Sequence, residues 1–207
     1  IRRRVRHLKK LFGRQFDISY AAKANPNTKI LSLLERMEIG LDVSSYGEME
    51  RGLKAGYSPR NIGFTGPGKR NVELASAISK GVGEIICESI DEVEDVNRIA
   101  MENGVRQRIL LRVNPITVPR KFGLQMGGQA SQFGIDEEDL NDLLPTLDKL
   151  SSVQVCGFHA YSAGNSLAEE AIIENLMSLA RLFAELSTSH DLTPEKFIFG
   201  SGFGIPY

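Results

Sequence analysis

Polar side chains lie at the ends of short apolar stretches in this sequence, where they could take part in chemistry. Lys23 follows the stretch DISYAA, Asp42 lies in IGLDVS and Arg112 lies in RILLRV. The lysine is either an ordinary surface charge or an amine held for a reaction, and its neighbours leave both interpretations open. Burying Asp42 or Arg112 alone would be costly, so each needs a partner unless it lies just beyond the buried zone.

Two further stretches carry polar groups in the same kind of position. His159 and Tyr161 alternate in GFHAY and therefore share one face of a strand, either in the core or at the mouth of a site. Residues 200–204, GSGFG, form a glycine-rich turn after the apolar stretch FIF. Free backbone N–H groups in such a turn bind phosphate well, although a plain turn is an equally good interpretation.

Residues 63–70, GFTGPGKR, have the glycine and lysine spacing of a nucleotide-binding loop. However, Arg70 stands where that motif needs a Ser or Thr to hold magnesium, and Pro67 lacks a backbone N–H. The segment is therefore predicted to be a tight turn between a strand and a helix, with nucleotide binding as the alternative.

The elements that must position these groups alternate along the chain. Seven apolar or β-branched stretches predict strands near residues 17–22, 39–44, 62–65, 85–88, 108–113, 153–161 and 197–199. Helical patterns lie between them, and the first five strands recur about every 23 residues, the period of compact βα units. We predict an α/β fold, either a doubly wound sheet or an incomplete (β/α)8 barrel. In a barrel the carboxyl ends of the strands meet at one rim, which would bring the polar groups together.

Two segments stand apart from this alternation. Residues 114–134 hold no clear element, and a loop of this length is typically functional or mobile. At the start of the chain, Ile1, Val5, Leu8 and Phe12 recur at helical spacing within a basic segment. We predict an amphipathic helix with a solvated charged face, with a targeting or nucleic-acid patch as the alternative.

Composition excludes several classes of protein. The chain is 42% hydrophobic and 25% charged, with a net charge of −1, so no overall field favours nucleic acid or an anionic membrane. No apolar run approaches the roughly 18 residues of a membrane helix, and no signal-peptide pattern is present. Cys87 and Cys156 lie in apolar stretches and are predicted to be reduced core residues of a cytoplasmic protein. Because the first residue is Ile, we expect an excerpt of a longer protein.

Several stretches together resemble the fold-type III pyridoxal-phosphate (PLP) decarboxylases, which include diaminopimelate, ornithine and arginine decarboxylases. In the order of that family, they are YAAKAN, LDVSSYGE, GFTGPGK, RVNP, FGID, GFHAY and GSGFGIPY. The resemblance implies an α/β fold, namely the (β/α)8 TIM barrel of the alanine racemase type, here incomplete with about seven strands. It also implies PLP-dependent decarboxylation of an amino acid or amino-acid derivative in biosynthesis.

The resemblance carries roles to individual residues. Lys23 would form the Schiff base with PLP, and His159 would be the second catalytic residue. Tyr161 stands where relatives often have a histidine stacked on the PLP ring, so either His159 or Tyr161 is the stacking group. The remaining implied cofactor-binding residues are Asp42, Arg112, Gly200, Ser201 and Gly202. No metal is implied.

The resemblance also sets expectations for the whole molecule. Residues 1–207 correspond to the PLP-binding barrel domain of a longer two-domain protein, without the eighth strand and the C-terminal β-domain. We therefore expect the chain alone to be inactive. The implied protein is a cytoplasmic homodimer that acts on a free or carrier-bound amino acid and binds neither nucleic acid nor membrane. The alternatives are a PLP-dependent amino-acid racemase and a non-catalytic PLP-binding or regulatory homologue.

Overall fold

The computed structural model describes residues 1–13, 15–116, 124–125, 132–147, 149–200 and 202–206. The chain divides into two compact units, Ile1–Ile85 and Ile86–Tyr207. Among the predicted site residues, Ser201 lies outside the described part of the chain.

Helices and parallel strands alternate in the first unit. Its helices are α1 (Arg2–Phe12), α2 (Thr28–Glu35), α3 (Tyr46–Lys54) and α4 (Asn71–Ser79). Its strands are β1 (Ser19–Ala21), β2 (Gly40–Val43), β3 (Ile62–Phe64) and β4 (Glu84–Cys87), the last of which runs across the boundary between the units. Each of the first three strands pairs in parallel with the next, so their carboxyl ends lie on the same side of the first unit.

The second unit continues the alternation of helices and strands. Its helices are α5 (Ile90–Glu102), α6 (Leu140–Leu147) and α7 (Glu169–Ser189). Its strands are β5 (Gln107–Asn114), β6 (Leu124–Gln125), β7 (Ile135–Asp136), β8 (Val153–Ala160), β9 (Ala163–Gly164) and β10 (Lys196–Phe199). Strand β8 pairs in parallel with β5 and β10, β7 pairs in parallel with β5, and β6 and β9 form a small antiparallel pair.

Local sequence signals explain where two of these helices begin. The Ser45 hydroxyl at the start of α3 accepts a hydrogen bond from the Glu48 N–H at 3.2 Å, and Ser89 and Glu92 form the same contact at the start of α5. In each case the glutamate carboxylate also accepts the N–H of the residue that directly follows the preceding strand, namely Ser44 or Glu88. This Ser-x-x-Glu pattern satisfies amides that a helix leaves unpaired, and it fixes each turn from strand to helix.

Aromatic rings form part of the apolar core of the second unit. In the second unit the rings of Phe158 on β8 and Phe183 on α7 stack at 5.7 Å between centroids, and Phe183 stacks on Phe197 of β10 at 5.0 Å. Because Phe158 is fully buried, this packing holds β8 and fixes the position of the residues that follow it.

Most of the predicted elements are confirmed. The described residues include seven parallel strands, β1 to β5, β8 and β10, which match the seven predicted stretches and confirm the α/β class. The first helix is confirmed, and its Val5 is buried. Cys87 and Cys156 are buried, and neither forms a disulfide within the described residues. No helix in the described ranges is long and apolar enough to cross a membrane.

The segment 114–134 differs from the expectation of no element. It contains the two-residue strand β6, and β7 follows it directly. Two residues carry too little periodicity to predict a strand. Residues 117–123 and 126–131 lie outside the described part of the chain.

Candidate cofactor site

Lys23 lies two residues beyond β1, in a short 3-10 turn over Ala22–Ala24. Ala22 is fully buried, whereas the lysine side chain is exposed. The Asn-Pro-Asn sequence after the lysine makes the next turn: the Asn27 N–H donates to Asn25 Oδ1 at 3.1 Å, and the Asn27 side chain caps α2. The backbone is therefore held on both sides of an amine that solvent and ligands can reach.

Asp42 lies on the strand next to Lys23. In the parallel pairing of β1 and β2, Asp42 lies opposite Ala21, which is two residues before Lys23. Lys23 and Asp42 therefore lie at the carboxyl ends of neighbouring strands. The Thr65 hydroxyl donates to Asp42 Oδ1 at 2.5 Å. Thr65 is buried and Asp42 is half-buried, so a neutral hydroxyl orients a carboxylate that water still reaches.

The predicted turn between a strand and a helix is confirmed at residues 65–70. Residues 65–70 connect β3 to α4, and the Lys69 amine donates to the Gly66 carbonyl within the same turn. The amine also lies 5.8 Å from the centroid of the Phe64 ring. These contacts direct the lysine back to its own turn.

In the second unit, Arg112 is a buried charge with a buried partner. Its Nη1 donates to both carboxylate oxygens of Glu88, at 2.9 and 2.8 Å, and both side chains are almost fully buried. The Phe133 ring covers the guanidinium, with its centroid 4.8 Å from Cζ. Such a charge is stable in the interior only because the partner and the hydrogen bonds are both present.

The segment FGID braces the same strand end. Phe133 covers the arginine, Ile135 pairs with Val113 of β5, and the Asn114 side chain donates to Asp136 at 2.6 Å. Together these contacts hold the carboxyl end of β5 in place.

His159 lies beside Arg112. The pairing of β5 with β8 sets these two residues opposite each other, and β10 sets Ile198 opposite His159. Paired residues on neighbouring strands share a face of the sheet, so the histidine and the arginine do as well. The histidine is 8% exposed.

Tyr161 packs against two glycines. A Cβ atom placed on Gly200 would overlap the Tyr161 ring, and one placed on Gly164 would overlap its hydroxyl. Close approach of a ring to the backbone at both positions requires residues without side chains. The next residue, Ser162, is fully buried and its hydroxyl donates to Asn175 of α7 at 2.7 Å, which fixes the chain after β8.

The glycine-rich turn is fastened to the chain before α7. The Gly200 N–H donates to the Ala160 carbonyl at 2.8 Å, and the Gly204 N–H donates to the Ser166 carbonyl at 2.7 Å. Gly202 has a φ of 66°, in the left-handed region, and its carbonyl accepts the Ser166 N–H at 3.0 Å. The N–H groups of Gly202 and Phe203 donate to no residue that the structure describes, so these two described amides of the turn remain for a ligand.

The predicted residues thus form one group in each unit. Lys23 and Asp42 lie on neighbouring strands of the first, and the second brings together Arg112, His159, Tyr161, Gly200 and Gly202. Sequence reasoning missed three residues that support these groups, namely Thr65, Glu88 and Phe133. A signal existed for Glu88, because it ends the apolar stretch IICE and a buried Arg112 needs an acid.

The whole chain, residues 1–207, matches the family described as pyridoxal-dependent decarboxylase, pyridoxal binding domain. The chain therefore belongs to this family, and the predicted cofactor, PLP, is confirmed at the level of the family.

Relatives agree with this assignment. The chain is 32% identical over 193 residues to the L-glutamyl-[BtrI acyl-carrier protein] decarboxylase of Niallia circulans, and 33% identical over 197 residues to a diaminopimelate decarboxylase of Helicobacter pylori. These matches cover 93% and 94% of this chain but 45% and 48% of the relatives. The chain thus spans about half the length of the curated relatives it matches.

A solved structure confirms the barrel type of the fold. Diaminopimelate decarboxylase from Helicobacter pylori, complexed with L-lysine, has a TM-score of 0.84 and 30% identity to this chain. The match covers 94% of this chain and 50% of that one.

Each unit by itself contains a group whose chemistry suits part of PLP, which has an aldehyde and a phosphate. The first unit offers an accessible lysine amine after β1, and the second offers a glycine turn with an amide available at Gly202. An amine and a turn amide are the groups that bind an aldehyde and a phosphate.

Proposed function

We propose that this domain binds PLP and belongs to an enzyme that decarboxylates an amino acid or amino-acid derivative in biosynthesis. The family match over residues 1–207 carries the proposal. When bound, PLP supplies an electron sink for the pair left behind as the carboxylate departs as CO2. The residues of this chain bind the cofactor and orient the reacting groups.

We assign the covalent link to Lys23, because its amine is accessible at the end of a well-held strand. The Asp42 carboxylate, oriented by the Thr65 hydroxyl, is assigned a cofactor-binding role from the same strand ends.

In the second unit we assign phosphate binding to the turn of Gly200, Ser201 and Gly202. Gly202 supplies an amide, whereas Gly200 contributes by leaving room for Tyr161. His159 remains the second proposed catalytic residue and is the better candidate for the stacking group, because Tyr161 packs between two glycines. Arg112 is proposed to brace His159 from the neighbouring strand, and Glu88 holds Arg112 in place.

The substrate is proposed to be an amino acid that is either free or attached to a carrier protein. The relative from Niallia circulans acts on a carrier-bound glutamyl group by its name, and the relative from Helicobacter pylori acts on diaminopimelate. We also propose a homodimer in the cytoplasm, which light scattering and cell fractionation test directly.

Trapping of the cofactor tests the proposal. PLP is added to the wild-type protein, to Lys23→Ala and to the matched control Lys29→Ala, which changes an exposed lysine at the start of α2. Borohydride reduction and peptide mass spectrometry then locate any PLP that has become fixed. We expect fixed PLP at residue 23 in the wild type and in the control, and none there in Lys23→Ala. Equal labelling of all three proteins would contradict the assignment.

Two alternatives keep the same cofactor. A racemase would invert its amino acid without releasing CO2, and a non-catalytic homologue would bind PLP and turn nothing over. Measurement of CO2 release from candidate amino acids by the PLP-loaded enzyme to which this domain is proposed to belong separates decarboxylation from both.

A further inference from the structure

Helix α7 of the second unit carries apolar residues on two of its sides. One side lies in the core, where Phe183 stacks on rings of β8 and β10. A different side carries four exposed apolar residues, which we call the exposed stripe: Ile173, Met177, Ala180 and Ala184. Ile173 is 53% exposed and Met177 is 52% exposed, so the core does not account for the exposed stripe.

The spacing of the exposed stripe is that of a helix packed against a second helix. Its members follow one another at intervals of four, three and four residues, which places them along one line over about three turns. Single apolar residues on a surface are normal and need no explanation. A regular line of four on one helix indicates a contact surface.

The sizes of the side chains in the exposed stripe are complementary to a second, antiparallel copy. The two large residues lie toward the amino end of α7, and the two alanines lie toward the carboxyl end. In an antiparallel pair Ile173 faces Ala184 of the second copy, and Met177 faces Ala180 of the second copy. Large residues then fill the space above small ones, as close packing requires. A parallel pair would set alanine against alanine and leave a gap.

Two charges beside the exposed stripe point to the same arrangement. Glu174 and Arg181 are exposed, and neither forms an ion pair with any residue in the described ranges. They lie about 10 Å apart along their own helix, which is too far for them to pair with each other. In the antiparallel register Glu174 faces Arg181 of the second copy, and the pair occurs twice. A parallel pair would bring like charges together, which is unfavourable.

Helix α5 of the same unit shows how an exposed helix face is otherwise built. Its Arg98 pairs with Asp95 at 2.7 Å and with Glu102 at 3.2 Å, all on the same helix. Opposite charges three or four residues apart stabilise the helix that carries them. The charges on α7 have no such arrangement, so they remain available for a partner.

We propose that the exposed stripe of α7 binds the exposed stripe of a second copy of this chain, with the two helices antiparallel about a two-fold axis. Such an interface is closed, because each copy contributes the same surface. The inference rests on the homodimer of the proposed function, to which it assigns a surface, and it does not depend on the bound cofactor.

The test is the dissociation constant of the dimer, measured by sedimentation equilibrium at low and high salt. Glu174→Arg and Arg181→Glu each bring like charges together twice in the dimer. We expect each variant to weaken the dimer about tenfold at low salt and less at high salt. The combined variant Glu174→Arg/Arg181→Glu restores opposite charges and should return to within about threefold of the wild type.

A matched control reverses an exposed glutamate elsewhere in the same unit. Glu94→Arg on α5 changes the net charge as Glu174→Arg does, and it should leave the dissociation constant within about threefold of the wild type. Circular dichroism checks that each variant is folded.

A substitution within the exposed stripe adds a second readout. Ala180→Glu places a longer, charged side chain against Met177 of the second copy, so we expect no dimer at concentrations where the wild type is dimeric.

The proposal is overturned by a wild-type protein that stays monomeric, by single charge reversals that match the control, or by a combined variant that is no tighter than the single ones. Failure of the proposed function reads differently, since borohydride would then fix no PLP at Lys23 whatever the dissociation constant of the dimer.

Discussion

The two groups of candidate residues hold their charges in different ways. In the second unit, Arg112 is buried, bonded to the buried carboxylate of Glu88 and covered by Phe133. In the first unit, Asp42 is half-buried and receives a hydrogen bond from the neutral hydroxyl of Thr65. A buried ion pair is rigid and expensive to break, whereas a half-exposed carboxylate keeps water as a second partner.

This difference in burial suggests different roles for the polar groups of the two units. The proposed covalent residue, Lys23, is exposed and lies on the strand next to Asp42, so the first unit presents its polar groups to ligands. In the second unit Arg112 and His159 are buried side by side on neighbouring strands. We infer that the buried ion pair of Arg112 and Glu88 holds the strand end and His159 in position, and that the accessible groups meet the substrate.

The largest expected effect is that of Glu88→Gln. The substitution leaves the guanidinium of Arg112 buried without a compensating charge, so we expect a loss of about 3–5 kcal/mol in the free energy of unfolding. Urea denaturation followed by circular dichroism measures it.

The second unit also contains the control for this prediction. Arg108 pairs with Glu195 at 3.0 Å, but both side chains are exposed. Glu195→Gln should therefore change the free energy of unfolding by less than about 1 kcal/mol. Similar losses from the two variants would show that the buried pair of Arg112 and Glu88 stabilises the fold no more than an exposed pair does. The contrast between the buried and the accessible charges would then be wrong.

A smaller effect is expected for Thr65→Val in the first unit. The change removes the hydroxyl that donates to Asp42 and keeps nearly the same shape. Because the carboxylate is half-buried and can turn to water, we expect a loss of about 1–2 kcal/mol, below that for Glu88→Gln. Thr65→Ser keeps the hydroxyl, so it should lose less free energy of unfolding than Thr65→Val. Equal losses from the two variants would show that the hydrogen bond contributes nothing to stability.

The sequence was enough to predict most of the elements and the strand-end residues. Apolar stretches of four to eight residues bounded by turns are a strong signal. Lys23, Asp42, Arg112 and His159 were therefore located correctly at or near the ends of observed strands. The proposed roles came from the resemblance, and they stay predictions until the cofactor is trapped.

The contacts that support these residues were harder to predict. Glu88 and Arg112 are 24 positions apart, and their pairing depends on how the chain folds between them. Phe133 follows a loop without periodicity, so nothing in the local pattern connects it to an arginine on β5. The segment FGID could be recognised by resemblance, but its bracing of β5 required coordinates.

The smallest effect at neutral pH, and the sharpest in its pH dependence, is expected for Tyr57→Phe. Tyr57 is 4% exposed, and its hydroxyl has no hydrogen-bond partner among the described residues. Burial raises the pKa of Tyr57 from 10.0 to about 12, and the charges of Glu35 and Tyr20 add to the shift. The first unit thus buries a neutral polar group while its charges remain accessible.

The sign of the pH effect follows from the raised pKa of Tyr57. Between pH 10 and about 12 the unfolded chain releases the tyrosine proton and the folded chain keeps it, so stability falls as pH rises through this window. Tyr57→Phe removes this loss, and at neutral pH it should change stability by less than about 1 kcal/mol because no hydrogen bond is broken. Urea midpoints of wild type and variant, compared near neutral pH and again within the window, measure the difference. If the difference between the two urea midpoints does not grow in favour of the variant at high pH, the Tyr57 hydroxyl reaches water. The first unit would then not bury it as a neutral group.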